Sequence, residues 1–290
     1  MSDTPDEKCC CGSRFDLPPF DVERFFQELD ERYRHATGDE LVDFLRAELA
    51  RARMTGGRQA VAAVANELGS VLRVRGEFEE SERMFLEVLE LADENGAVMA
   101  RCNARINLGS VYVAWDKFEK AVDILTEAQG MLPDDHPYEL SAICNNRSTA
   151  LRMLGRYPEA REDLRRAAKL LEQVPGTEGE RAVNGINIAQ TYLGEGKVDE
   201  AAREIEPVLE AYKTLTGGRD IHKPHALATA GDIACMQGDY ARGASYYREA
   251  AEAMIDKLGE DAPAVKRLRD AQRRAEERAA EAEAGTEASE

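Results

Sequence analysis

Four histidines and six cysteines are the residues whose chemistry could be acid–base, metal-binding or covalent. Two of the imidazoles stand close together in His222-Lys223-Pro224-His225, a pair that could hold half of a zinc site or trade a proton. Zinc needs more ligands than two, so the pair reads as a solvated helix start with Pro224 in its opening turn. Cys9-Cys10-Cys11 places three thiols side by side. Structural metal sites use Cys-x-x-Cys loops instead, and the triplet sits in no lipidation address. Cys102, Cys144 and Cys235 fall inside helical patterns, where a thiol acts as a small apolar filler, and this usage agrees with a reducing compartment. Gly-x-x-x-x-Gly-Lys, His-Glu-x-x-His and Gly-x-Ser-x-Gly are all missing. The sequence therefore offers no catalytic residue, no metal ligand set and no cofactor cradle.

The remaining candidate chemistry is that of amides, which both donate and accept and so match a peptide backbone. A repeat positions them. Paired residues followed three later by an apolar one occur at Leu68-Gly69 with Leu72, Leu108-Gly109 with Tyr112, and Ile188-Ala189 with Tyr192; weaker copies are Arg147-Ser148 with Leu151, and Ala230-Gly231 with Ala234. Seven residues after each small residue stands a turn former: Gly76, Asp116, Gly155, Gly196, Gly238. Twelve after it the residue is always small: Ser81, Ala121, Ala160, Ala201, Gly243. Sixteen after it the residue is always large and apolar: Phe85, Leu125, Leu164, Ile205, Tyr247. Physically these offsets describe a helix hairpin. An apolar stripe marks a first helix, a positive-φ residue ends it, and small residues let a second helix approach closely. One hairpin cannot bury its stripe alone, so neighbours must stack.

The pattern resembles the tetratricopeptide repeat, with its Leu-Gly, later Tyr, later Ala and later Phe, although Ala65 and Arg105 stand where the family's leading aromatic would be. Steps of 40, 39, 41 and 42 between small residues exceed the family's usual length of about 34. They are similar to the variant in kinesin light chains and bacterial regulatory proteins. The segments 132–137 and 258–263, Leu-Pro-Asp-Asp-His-Pro and Leu-Gly-Glu-Asp-Ala-Pro, strengthen that comparison. The resemblance implies an all-α, right-handed α-solenoid of stacked antiparallel hairpins.

Composition narrows the partners. The 290 residues carry a formal charge of −18. That disfavours duplex nucleic acid and anionic lipid, both of which are bound through cationic side chains. The 43% apolar content suffices for a core, and no run of about 18 apolar residues is present. The expectation is a soluble, cytoplasmic protein with no nucleic-acid and no membrane partner. Its expected organisation is a disordered tail over 1–16, a degenerate helical cap over 17–54, five hairpins over 55–258, a capping helix over 259–283 and a second tail over 284–290.

If the Leu-Gly and Tyr positions pack inward, the opposite face of each first helix forms one stripe, which in stacked hairpins of this family lines a concave groove. The polar residues on it are Asn66, Arg73, Asn103, Asn107, Ser110, Asn145, Asn146, Thr149, Arg152, Asn187 and Gln190. Asn107, Asn146 and Asn187 hold the same register position in successive hairpins. Such a ladder either grips an extended peptide backbone or bonds neighbouring helices and keys their stacking. Arg147 stands where Leu is expected; it either snorkels to solvent or reaches into the groove beside Arg152 and favours an acidic ligand group. The function expected is a non-enzymatic scaffold that binds a protein or peptide in the groove. The alternative is a regulator whose superhelix changes curvature when a peptide binds, with residues 17–54 as the only candidate output module.

Overall fold

The computed structural model describes residues 18–94, 96–214 and 222–287; the expected tail over 1–16, with its cysteine triplet, lies outside the described residues. Among these residues there are thirteen helices and no strand, and contacts divide the chain into two units, 1–95 and 96–290.

The first unit holds α1 (Val22–His35), α2 (Gly38–Thr55), α3 (Gly57–Arg75) and α4 (Phe78–Glu94). Asp21 caps α1, and Thr37 with Glu40 closes a reciprocal capping box on α2. These caps satisfy backbone donors that the first turn leaves unpaired. Phe25 stacks on Phe44 with ring centroids 6.1 Å apart. Arg46 and Arg53 of α2 each reach a glutamate of α4, Glu80 and Glu87, at 2.7 Å.

The second unit contains α5 (Val98–Ala114), α6 (Phe118–Met131), α7 (Pro137–Met153), α8 (Tyr157–Leu171), α9 (Glu178–Gly194), α10 (Val198–Thr214), α11 (Lys223–Met236), α12 (Tyr240–Leu258) and α13 (Pro263–Glu287). α5, α7, α9 and α11 pack along one another as a layer, and the even-numbered helices from α6 to α12 pair with them. α13 packs on α12 and continues past residue 283, where the sequence places the end of the cap.

The repeat offsets become contacts. All five turn formers have positive φ, from 55° at Asp116 to 85° at Gly238. All five large residues, from Phe85 to Tyr247, are buried. A Cβ added to Gly69 would lie 2.9 Å from the Phe85 ring, and one added to Gly231 would lie 2.7 Å from that of Tyr247. The small residue of one helix is thus the seat of the large residue of the next. Substituting a turn glycine tests the backbone alone. At Gly155 (φ 72°) an added Cβ would meet nothing within 4 Å. Gly155→Ala is therefore expected to cost about 1–2 kcal/mol in urea unfolding, from left-handed strain without any clash.

Candidate functional site

The expected site residues fall in two units: Asn66 and Arg73 on α3, and the others on α5, α7 and α9. In the second unit the amides run from helix to helix. Asn146 Nδ2 donates to Ser110 Oγ at 3.1 Å, joining α7 to α5. Asn187 Nδ2 donates to Asn145 Oδ1 at 3.4 Å, joining α9 to α7. Gln190 Nε2 donates to Thr229 Oγ1 at 3.1 Å, joining α9 to α11.

Helix geometry fixes the direction of these amides. Ser110 Oγ already donates to Ile106 O at 3.1 Å, and Thr229 Oγ1 to His225 O at 2.9 Å, so each hydroxyl can only accept from the amide that meets it. The NH2 ends of Asn146 and Gln190 therefore hold the neighbouring helices. Asn145 bonds on both sides: its Nδ2 donates to Ser141 O at 3.2 Å and its Oδ1 accepts from both Asn187 and Asn184. Thr149 donates back to Asn145 O at 3.2 Å. Asn103 is exposed, while Asn66, Asn107 and Ser110 are half-buried. The amide oxygens of Asn146 and Asn187 accept no hydrogen bond from the described protein. Stacking thus takes one end of each of these two amides and leaves an acceptor on the other.

A cavity of about 300 Å³ opens beside this ladder, with Tyr138, Ala142, Asn145, Asn146, Val183 and His222 among its lining residues. Its lining is mixed: Tyr138, Ala142 and Val183 supply apolar side chains, and Ser141, Asn145, Asn146, Glu180 and His222 polar ones. Tyr138 is 47% exposed and donates to Glu180 at 3.2 Å, a bond that spans α7 and α9. A larger cavity of about 440 Å³ lies among α10, α11 and α12, where Lys213 pairs with Glu210 and Lys223 with Glu249 on its rim. Met153 and Met236, five residues after their small positions, are 50% and 54% exposed, and each ends its first helix with a soft apolar surface.

Arg147 does neither of the things the sequence suggests. It is turned inward: Nε and Nη2 make a bidentate pair with Asp163 at 2.7 and 2.6 Å, and Nη1 donates to Thr126 at 3.1 Å. The apolar residue of the other hairpins (Leu68, Leu108, Ile188, Ala230) is replaced by an ion pair that ties α7 to α8. Arg152 remains on the stripe, half-buried, and desolvation holds its guanidinium below the ordinary arginine range. Asp232, the acidic residue of the same face, is pushed up by desolvation although it accepts a 2.6 Å bond from Tyr247.

Sequence reasoning missed Asp163, Asn184 and Tyr138. Asn184, 3% exposed, donates to Leu164 O at 3.1 Å as well as to Asn145. Its register position holds Val64, Ala104, Ile143 and Ala226 elsewhere, and that polar departure was the available signal. The thiols behave as filler: burial pushes Cys102 and Cys144 up to about 11, which keeps them protonated. His222 and His225 have ring centroids 6.4 Å apart, and among the described residues no group of three or more metal-ligating side chains is assembled.

The tetratricopeptide-repeat pattern matches residues 60–134 and 140–178. Tetratricopeptide repeats are present in these two segments. Similar solved structures include NprR in complex with its cognate peptide NprX (12% identity, TM-score 0.69, covering 95% of this chain and 79% of that one). A Rap protein complexed with Competence and Sporulation Factor is 15% identical, with a TM-score of 0.59 over 88% of this chain and 75% of that one. TPR-like repeats of a kinesin light chain type from Podosopora anserina are 19% identical, with a TM-score of 0.53 over 68% of this chain and 97% of that one. At these identities the likeness is one of fold. No curated protein matches the sequence significantly. Among the described residues of this repeat protein, no helix is long and apolar enough to cross a membrane.

Proposed function

We propose that the first-helix face of the second unit binds an extended peptide segment, as a scaffold without chemistry of its own. The observation that supports this most is the split use of Asn146 and Asn187. Their NH2 ends hold neighbouring helices, and their amide oxygens accept nothing from the described protein, which leaves two acceptors for a ligand. A peptide N–H is the complementary donor. Two such bonds at about 1 kcal/mol each fall far short of the roughly 8 kcal/mol of a micromolar complex. The 300 Å³ cavity beside Asn146 adds about 1.5–3 kcal/mol by taking one leucine-sized side chain, and contacts with exposed apolar residues such as Met153 and Met236 would have to contribute the rest.

The test is affinity selection of random-sequence short peptides on the full chain, followed by fluorescence anisotropy with a labelled retained peptide. Asn146→Ala and Asn187→Ala are each expected to weaken binding about fivefold. Two variants that bind as tightly as the parent would move the site off this face.

The regulatory reading is favoured by one likeness: NprR, crystallised with a peptide, covers 95% of this chain and so spans its N-terminal helices too. Solution scattering separates the two readings. A regulator contracts when the retained peptide is added, and a scaffold keeps its profile.

A further inference from the structure

We propose that the cavity of about 440 Å³ among α10, α11 and α12 is a binding site for an uncharged, mainly apolar small molecule. The site lies away from the peptide-binding face and does not depend on that reading.

Its basis is a pair of missing side chains. The residue before the small position is Leu68, Leu108, Arg147 and Ile188 in the first four hairpins, and Ala230 in the fifth. Three after the small position the series runs Leu72, Tyr112, Leu151, Tyr192 and then Ala234. Leu68, Leu72, Leu108 and Leu151 are buried, so the repeat ordinarily fills this space with its own large side chains. The fifth hairpin has alanine at both places, about one helical turn apart, and both alanines line the cavity. Apolar atoms that face open space lack packing partners, a loss that a ligand can offset. Leu227 and Ile233 of α11, with Ile205 and Leu209 of α10, complete the aliphatic part of the lining.

Charge and size decide the class of ligand. The lining also carries Lys213, Lys223 and Arg242 against Glu206, Glu210 and Glu249, so its formal charges cancel. Its cations are already engaged: Lys213 meets Glu210 at 2.5 Å, Lys223 meets Glu249 at 3.4 Å, and Arg242 donates to Tyr246 at 3.1 Å. An ionic ligand of either sign must disturb these pairs and approach a like charge, whereas a neutral one disturbs none. The volume is about three times that of an engineered apolar cavity that holds benzene, and it falls in the range of small-molecule pockets. A fused-ring aromatic or a short aliphatic chain suits that space.

Helix geometry separates this site from the stripe. Ala230 and Asp232 are two residues apart on α11, which turns them about 200° from each other around the axis. Asp232 belongs to the stripe and Ala230 to the cavity. A molecule in the cavity therefore touches the opposite side of α11, where it bridges the fourth hairpin to the fifth through α10 and α11.

The experiment uses the full chain and two fluorescent probes that differ by a sulfonate, neutral N-phenylnaphthylamine and anionic anilinonaphthalene sulfonate. Titration is expected to show a single site for the neutral probe, with the anionic one bound about tenfold or more weakly. Ala230→Leu and Ala234→Leu restore the leucines of other hairpins, and each is expected to weaken the neutral probe about tenfold or more. Thermal unfolding without probe gives a second measure, since filling empty space should leave each variant at least as stable as the parent. Failure of the neutral probe to bind the parent would overturn the site, as would binding that survives both substitutions. An anionic probe bound as tightly as the neutral one would overturn the class assigned to the ligand. If both variants melt well below the parent, the space is closed in solution and the proposal falls.

Discussion

Asp163→Ala should be among the most destabilising single substitutions in the second unit, at about 3–5 kcal/mol. Asp163 and Arg147 are 8% and 13% exposed at their side chains and meet through two hydrogen bonds of 2.6 and 2.7 Å. Removing the carboxylate strands a guanidinium between α7 and α8, with only Thr126 at 3.1 Å left to receive it. The same loss is not expected when both charges go. In the preceding hairpin the equivalent positions are Leu108 and Ile124, and Leu108 is 1% exposed. Arg147→Leu with Asp163→Ile installs the residue types of those two positions, and replacing a buried pair by packed hydrocarbon is neutral or stabilising by about 1–4 kcal/mol. Urea unfolding of the parent, the single variant and the double variant gives the three values. A double variant as weak as the single one would mean that the pair, and not its burial, carries the stability.

That ion pair also marks the limit of what could be read from the chain. The register was legible because it repeats: five copies of small, small and large at fixed offsets leave little choice about which faces pack, and the positive φ at Asp116 follows from its alignment with four glycines. Arg147 was visible as a departure from the same register, and a guanidinium at an interior position requires a carboxylate. Which carboxylate could not be read, because the answer depends on the rotation of α8 against α7. The amide ladder was ambiguous for a similar reason. Sequence placed Asn146 and Asn187 on one stripe but could not say which atoms face the next helix. That depends on Ser110 spending its proton on Ile106 O, a local bond which turns the NH2 of Asn146 inward. The 300 Å³ cavity was not legible at all. Its lining brings Tyr138 of α7 together with Glu180 of α9, and such contacts follow from packing, not from periodicity.

The seat between α5 and α6 yields the other large effect, and its sign depends on context. Leu125 is fully buried, and Leu125→Ala is expected to cost about 3–5 kcal/mol through lost transfer energy and the cavity left behind. Gly109→Ala alone should also destabilise, by about 1–3 kcal/mol. The added Cβ would stand 2.5 Å from Leu125 Cγ, a branch point that cannot swing away as a chain end can. This cost outweighs the gain of about 1 kcal/mol from replacing a mid-helix glycine. With Leu125→Ala in place the clash is gone, and the same glycine substitution should become stabilising, because its methyl enters vacated space and the helical preference of alanine is no longer offset. A thermodynamic cycle over the two positions should therefore show a coupling above 1 kcal/mol. Additive effects would mean that the glycine is retained at this position for a reason other than the approach of α6.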